Sequence, residues 1–181
     1  MKVLLVDPPD LFLRGLGLTR QVLPLGLAAI GAAARAAGHG VRLLLPDTRE
    51  YRGADPWGQI EAALRDEAPD VVGVTLPSTQ LDSAARLAER ARRVAPRAVI
   101  VLGGAHPTLD PWGSLEAVPE ADFAVAGEGE AAFVALLEGL RSGRRTLPVG
   151  VVARGSPVSA PFAPARVDPD GWPAPMKDPA T

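Results

Sequence analysis

Short, nearly continuous apolar runs alternate along the chain with longer stretches in which apolar residues recur every three or four positions. The runs at 3–6, 41–45, 71–75, 99–102 and 123–126 are rich in Val, Ile and Leu and lack the in–out alternation of a half-exposed strand. Strands that are apolar on both sides belong to a parallel sheet covered on both faces, and each connection here is long enough for a right-handed crossover helix. The pattern predicts five strands in a doubly wound α/β sheet. Helices are predicted over 25–37, 56–68, 79–94 and 111–118, with a last one from Glu130 to just before Gly143. Gly38 is a natural left-handed stop, Pro56 suits a first helical turn, and Pro69 closes the helix before it. Within 79–94, Leu81, Ala84, Ala85, Leu87, Ala88, Ala91 and Val94 share one side while Arg86, Glu89, Arg90 and Arg93 lie elsewhere, the pattern of an amphipathic covering helix.

After Leu147 the character changes. Residues 149–153 suit one short extra strand, and Pro157, Pro161, Pro164, Pro169, Pro173, Pro175 and Pro179 then exclude regular elements. The expected organisation is a domain over 1–147 and a Pro-rich linker or arm over 148–181. A chain of 181 residues holds one ordinary domain and leaves no room for a second, catalytic one.

Charge and composition narrow the function classes. A net charge of −2 supplies no basic stripe, so nucleic acid is not an expected partner. The absence of cysteine excludes disulfides, thiolate zinc sites and any iron–sulfur cluster held by this chain. No metal ligands and no catalytic residues are expected within it. The longest apolar stretch is interrupted by Pro24 and Gly26 and is too short to cross a bilayer, and the N-terminus lacks the apolar core of a signal peptide. No membrane partner and a cytoplasmic location are the expectations.

Candidate chemistry gathers where strands end, because open parallel sheets bind ligands beyond their carboxyl edge. The fourth run leads into Gly103-Gly104-Ala105-His106-Pro107-Thr108, and the fifth into Gly127-Glu128-Gly129-Glu130. Glycines there let a ligand approach bare backbone. Each element has a plainer structural role as well. Ser78 or Thr79 can cap the following helix, Glu128 and Glu130 suit a helix start, and His106 can fix its loop. His39, between Gly38 and Gly40, reads as structural.

Together with Val3-Leu4-Leu5-Val6-Asp7-Pro8-Pro9 and Pro24-Leu25-Gly26-Leu27, these turns occur in an order that resembles the cobalamin-binding domain of cobalamin-dependent radical S-adenosylmethionine enzymes, over residues 1 to about 145. The resemblance implies a Rossmann-like or flavodoxin-like five-stranded sheet of order 2-1-3-4-5 and a bound cobalamin, as methylcobalamin or hydroxocobalamin. It places Pro9, Leu11 and Phe12 against the macrocycle, and Leu25 and Gly26 where the ligand or the next loop comes close. Thr75, Ser78 and Thr79 would line the slot for the displaced nucleotide base. Gly103, Gly104 and His106 would lie across the cofactor, and Gly127, Glu128, Gly129 and Glu130 beside its nucleotide end. In the mutase and methionine synthase type of cobalamin domain, an Asp-x-His-x-x-Gly pattern in the first loop supplies a lower cobalt ligand. Here Pro9 stands where that His would be, so the resemblance implies base-off cobalamin without a protein His ligand. The 4Fe-4S cluster and S-adenosylmethionine would belong to a separate or missing catalytic domain or subunit, a methyltransferase.

Other readings compete. A related domain can serve as a scaffold or docking module without corrinoid. A nucleotide- or sugar-binding enzyme is disfavoured because strand one lacks Gly-x-Gly-x-x-Gly, Pro8-Pro9 stands where a pyrophosphate needs glycine, and no Gly-Lys-Ser or Gly-Lys-Thr occurs. A phosphorelay receiver fits in outline, but the third strand ends in Thr75-Leu76-Pro77 rather than in a phosphoacceptor Asp. Replacing Gly104 with Val is expected to block the cofactor slot and leave the fold intact.

Overall fold

The computed structural model describes residues 1–18, 24–46, 55–158, 164–166 and 171–176. The chain opens with β1 (Lys2–Val6), α1 (Leu11–Gly15), α2 (Leu25–Ala36), β2 (Gly40–Leu44) and α3 (Pro56–Glu67). There follow β3 (Val71–Thr75), a 3-10 turn (Ser78–Gln80), α4 (Leu81–Val94), β4 (Val99–Gly103), α5 (Ala105–Leu109) and α6 (Pro111–Ala117). The last elements are β5 (Phe123–Val125), α7 (Gly129–Ser142) and β6 (Val151–Ala153). None of the described helices is long and apolar enough to cross a membrane.

The strands form one sheet of order β2-β1-β3-β4-β5-β6. The first five are parallel, with Val3 opposite both Val41 and Val71, and Val71 opposite Val99. This is the doubly wound order predicted, extended from five strands to six: the short segment after Leu147 adds β6 antiparallel to β5. The strand order reverses between β1 and β3, which leaves a crevice at the carboxyl edge beside β1.

Strand alternation divides the core into two layers. On one face Leu4, Val6, Val72, Val74, Ile100 and Leu102 meet Ile60 and Leu64 of α3, Leu87 and Ala91 of α4, and Leu115 of α6. On the other, Val3, Leu5, Val71, Val101 and Val125 meet Leu27, Ala28 and Ala32 of α2 and Phe133, Leu136 and Leu137 of α7. The alanine-rich α2 packs closely against the sheet and α7.

Local chemistry sets the boundaries. The Asp55 carboxylate accepts the N–H groups of Trp57 and Gly58 at the start of α3, with Pro56 in the first turn. At the end of α7, Gly143 takes a left-handed conformation with φ 69°. Two short helices, α1 and α5, were not predicted. The first lies in the loop after β1, where the Asp10 carboxylate accepts from Phe12 and Leu13 N–H. Five residues are too few for a hydrophobic period to be read.

Described residues of the Pro-rich stretch after β6 also contact the rest of the fold. Ala165 donates to the Ala126 carbonyl at 3.1 Å and accepts from Glu128 N–H at 2.9 Å. Further on, Met176 donates to the Ala28 carbonyl and its side chain enters the core beside Gly31.

Candidate functional site

At the carboxyl edge the two core layers differ. Between the sheet, α2 and α7 lies a groove of about 310 Å³ whose apolar lining includes Leu5, Ile30, Val101 and Phe133. Around it stand Gly26 from α2, Thr75 from β3, Gly103 and Gly104 from β4, and Gly127, Glu128, Gly129 and Glu130 from the start of α7. Eight of the sequence-predicted positions thus come together, from four separate segments.

The glycines contribute in different ways. A Cβ on Gly26 or Gly103 would meet nothing within 4 Å, so both positions border open space. Gly104 has φ 106°, and a Cβ there would come within 3.1 Å of Thr75 Oγ1 and 3.2 Å of the Leu76 amide nitrogen. Its role is to turn the backbone. The expectation that a valine at Gly104 would spare the fold is therefore corrected: this residue type strains that turn, whereas Gly103 is the neighbouring position with free space. Gly127, with φ 86°, is required by the close passage of the Ala165 backbone.

The other predicted residues are not part of the groove's lining. Pro9 is buried within the loop after β1, while Leu11, Phe12 and Leu25 are exposed, Phe12 by 74%. Ser78 and Thr79 are exposed too, and neither provides a side-chain cap to the 3-10 turn or α4. Instead, Ser78 Oγ lies 3.0 Å from His106 Nδ1, and the His106 N–H donates to the Leu76 carbonyl at 3.1 Å. His106 thereby ties α5 to the exit of β3. Glu128 occupies the cap position of α7 without a side-chain capping bond, and Glu130 lies in its first turn, where the helix dipole favours an acid.

His39 has the structural role expected of it. It is buried at the opposite, amino edge, 3.4 Å from the Met1 amine and 3.1 Å from Glu138 Oε1. Burial, followed by the nearby N-terminal ammonium, holds its pKa below the ordinary 6.5.

Sequence reasoning missed the floor of the groove. Gly73 lies inside an apolar strand, and a Cβ there would fall 2.5 Å from Leu5 Cδ2. Its absence lets Leu5 lie across β3. A glycine within a strand is the available signal for close approach. Ile30 and Phe133 carry the ordinary periodicity of core residues and give no such signal.

A doubly wound sheet with glycine turns around an apolar groove at its carboxyl edge has the architecture in which open α/β sheets bind ligands. The chain belongs to the B12 binding domain family, whose model matches residues 18–137. Similarity to whole proteins agrees with this. The chain is 32% identical over 146 residues to an uncharacterized methyltransferase of Pyrococcus horikoshii, covering 80% of this chain and 30% of that protein. It is 33% identical over 153 residues to cytidylyl-2-hydroxyethylphosphonate methyltransferase of Streptomyces wedmorensis, covering 77% and 28%. It is also 31% identical over 144 residues to the anaerobic magnesium-protoporphyrin IX monomethyl ester cyclase of Synechocystis, covering 78% and 28%. The chain therefore spans less than a third of the length of these relatives. Among solved structures, the isolated REC domain of RcsB from Salmonella enterica serovar Typhimurium superposes with a TM-score of 0.50 at 16% identity, covering 82% of this chain and 93% of that one. That likeness is one of fold.

The groove suits part of a cobalamin and not the whole. Its volume lies near the lower end of small-molecule sites, roughly 300–1,000 Å³, a size that suits a flat nucleotide base better than a whole corrin ring. The apolar floor and the open positions at Gly26 and Gly103 fit such a base.

Proposed function

We propose that this domain binds cobalamin base-off, with the nucleotide tail in the groove, and presents it to a radical S-adenosylmethionine catalytic domain or subunit. The observation that carries this reading is the open apolar slot beneath the glycine turns of β4 and β5, in a chain of the B12 binding domain family. When bound, cobalamin would supply a cobalt centre able to carry a methyl group. The names of two relatives favour methyl transfer as the reaction of the complete system.

The roles of this chain's residues follow from their positions. Leu5, Ile30, Val101 and Phe133 would bury the nucleotide base, with a driving force proportional to the apolar area removed from water. Gly103 and Gly104 would let the cofactor lie close to the β4 backbone. Glu128 and Glu130, which line the groove, would accept hydrogen bonds from the ribose hydroxyls. Exposed Leu11, Phe12 and Leu25 would provide an apolar rim for the macrocycle or for the catalytic partner. None of Pro9, Leu11 and Phe12 would serve as a cobalt ligand, because the proline nitrogen has no free lone pair and the other two side chains carry no donor atom.

Incubation with hydroxocobalamin followed by gel filtration tests the proposal. A corrinoid band that co-elutes at one equivalent, with the spectrum of the base-off form, is the expected result. Elution of colourless protein would favour the alternative, a scaffold of the same fold that docks a partner without corrinoid.

A further inference from the structure

One hydroxyl group joins the two glycine turns that form the groove's mouth. Thr108 Oγ1 donates to the Gly104 carbonyl at 2.8 Å and accepts from Gly127 N–H at 3.0 Å. Gly104 closes the exit of β4 and Gly127 the exit of β5, and both line the groove. Thr108 is partly buried and does not line it. A threonine that bonds back to the carbonyl four residues earlier is ordinary in a helix. The second bond is not accounted for by α5 itself, since it reaches an amide nineteen residues away on another strand exit.

The connection has few substitutes. β4 and β5 share only the pairs Val101 with Phe123 and Leu102 with Ala124, so their ladder stops before either glycine turn. On its far side the Gly127–Glu128 turn is held by the arm, through Glu128 N–H to the Ala165 carbonyl. On the β4 side of the groove, the Gly127 amide is held by the Thr108 hydroxyl. The Gly104 carbonyl also accepts from the Thr108 backbone N–H at 3.2 Å, so the hydroxyl's own contribution is to join that turn to the Gly127 amide.

We infer that Thr108 is a positioning residue that sets the width of the groove mouth, and so selects corrinoids carrying a nucleotide tail. This rests on the reading that the tail enters the groove. The acceptor capacity of the hydroxyl holds the Gly127 amide, and its donor capacity, bonded to the Gly104 carbonyl, fixes where the oxygen points. Valine has the shape of threonine with neither capacity, and serine retains both.

The test compares the wild type with Thr108→Val and Thr108→Ser, using cobalamin and cobinamide, a corrinoid without the nucleotide. Thr108→Val, which removes both hydroxyl bonds at a partly buried position, is expected to weaken cobalamin retention about tenfold and to leave cobinamide binding unchanged. Thr108→Ser should restore cobalamin retention. In protein without corrinoid, hydrogen exchange at the Gly127 amide should accelerate in the valine variant and return to the wild-type rate in the serine variant. Equal weakening toward both corrinoids, or unchanged cobalamin retention, would overturn the inference. If the wild type binds neither corrinoid, the proposed function fails. The inference about Thr108 then falls as a selectivity claim, while Gly127 exchange still reports whether the hydroxyl holds the turn.

Discussion

The two faces of the sheet are built from alternate residues of the same strands, yet one is filled and the other holds a groove. In β3, Val72 and Val74 point into a layer packed by Leu, Ile and Val, whereas Gly73, between them, faces the layer of α2 and α7. Similar hydrophobicity thus produces different outcomes, because volume and not polarity separates the two. On the α3, α4 and α6 side, side chains meet across the interface. On the α2 and α7 side, Leu5 lies over Gly73 and the turns at Gly103, Gly104 and Gly127 carry no side chains to close the edge. The candidate site is encoded largely by atoms that are missing.

Substitutions on the two faces should therefore fail differently, and stability changes rank them. Leu87→Ala, at a fully buried position of α4, should leave a cavity and cost about 2–5 kcal/mol by chemical denaturation. Corrinoid binding by the fraction that remains folded should not change. On the groove face, Gly73→Ala brings a Cβ against Leu5 Cδ2, an atom at the end of a side chain with open space nearby. Leu5 can turn into the groove, so the cost should be about 1 kcal/mol, at the low end for overpacking, with cobalamin retention reduced. A loss as large as that of Leu87→Ala would show that the groove face is as rigidly filled as its counterpart.

A smaller effect separates the two edges of the sheet. His39, at the amino edge, has its pKa held below 6.5 by burial and by the adjacent N-terminal ammonium. Below pH 6.5 the unfolded chain takes up a proton at this residue before the folded chain does, so stability should decline as pH falls through that range. His39→Gln should flatten that part of the stability profile without altering corrinoid retention. An unchanged slope would remove His39 as its source.

The smallest stability change is expected at the groove itself. Gly103→Val adds a side chain where a Cβ meets nothing within 4 Å, at the end of a strand that tolerates β-branched residues, so the unfolding free energy should stay within about 0.5 kcal/mol of the wild type. Cobalamin retention should nonetheless be lost. Retention at the wild-type level would place the nucleotide tail elsewhere.

Much of this architecture is legible in the amino-acid sequence, and the reasons are physical. The five parallel strands show as short continuous apolar runs and their longer covering helices as periodic ones, and Gly38, Pro56 and Gly143 mark boundaries through their own backbone preferences. The helices α1 and α5 are too short to show a period, and the direction of β6 depends on a tertiary pairing. At the site, Gly103, Gly104, Gly127 and Gly129 stand out because glycine after an apolar run implies a special turn. Distinguishing Gly103, which borders space, from Gly104, which turns the chain, requires φ angles and neighbours that a sequence does not contain. Ile30 and Phe133 look like any core residue. Thr108 is visible as a hydroxyl near a glycine pair, but its bond to Gly127 joins segments whose proximity only the fold establishes.

The central claim is that the groove takes the nucleotide end of a corrinoid, and the most direct measurement compares cobalamin with cobinamide on the wild-type protein by equilibrium dialysis. One equivalent of cobalamin held at least roughly tenfold more tightly than cobinamide, a difference of about 1.4 kcal/mol, is the predicted result. Equal affinity for the two, or no retention of either, would contradict it.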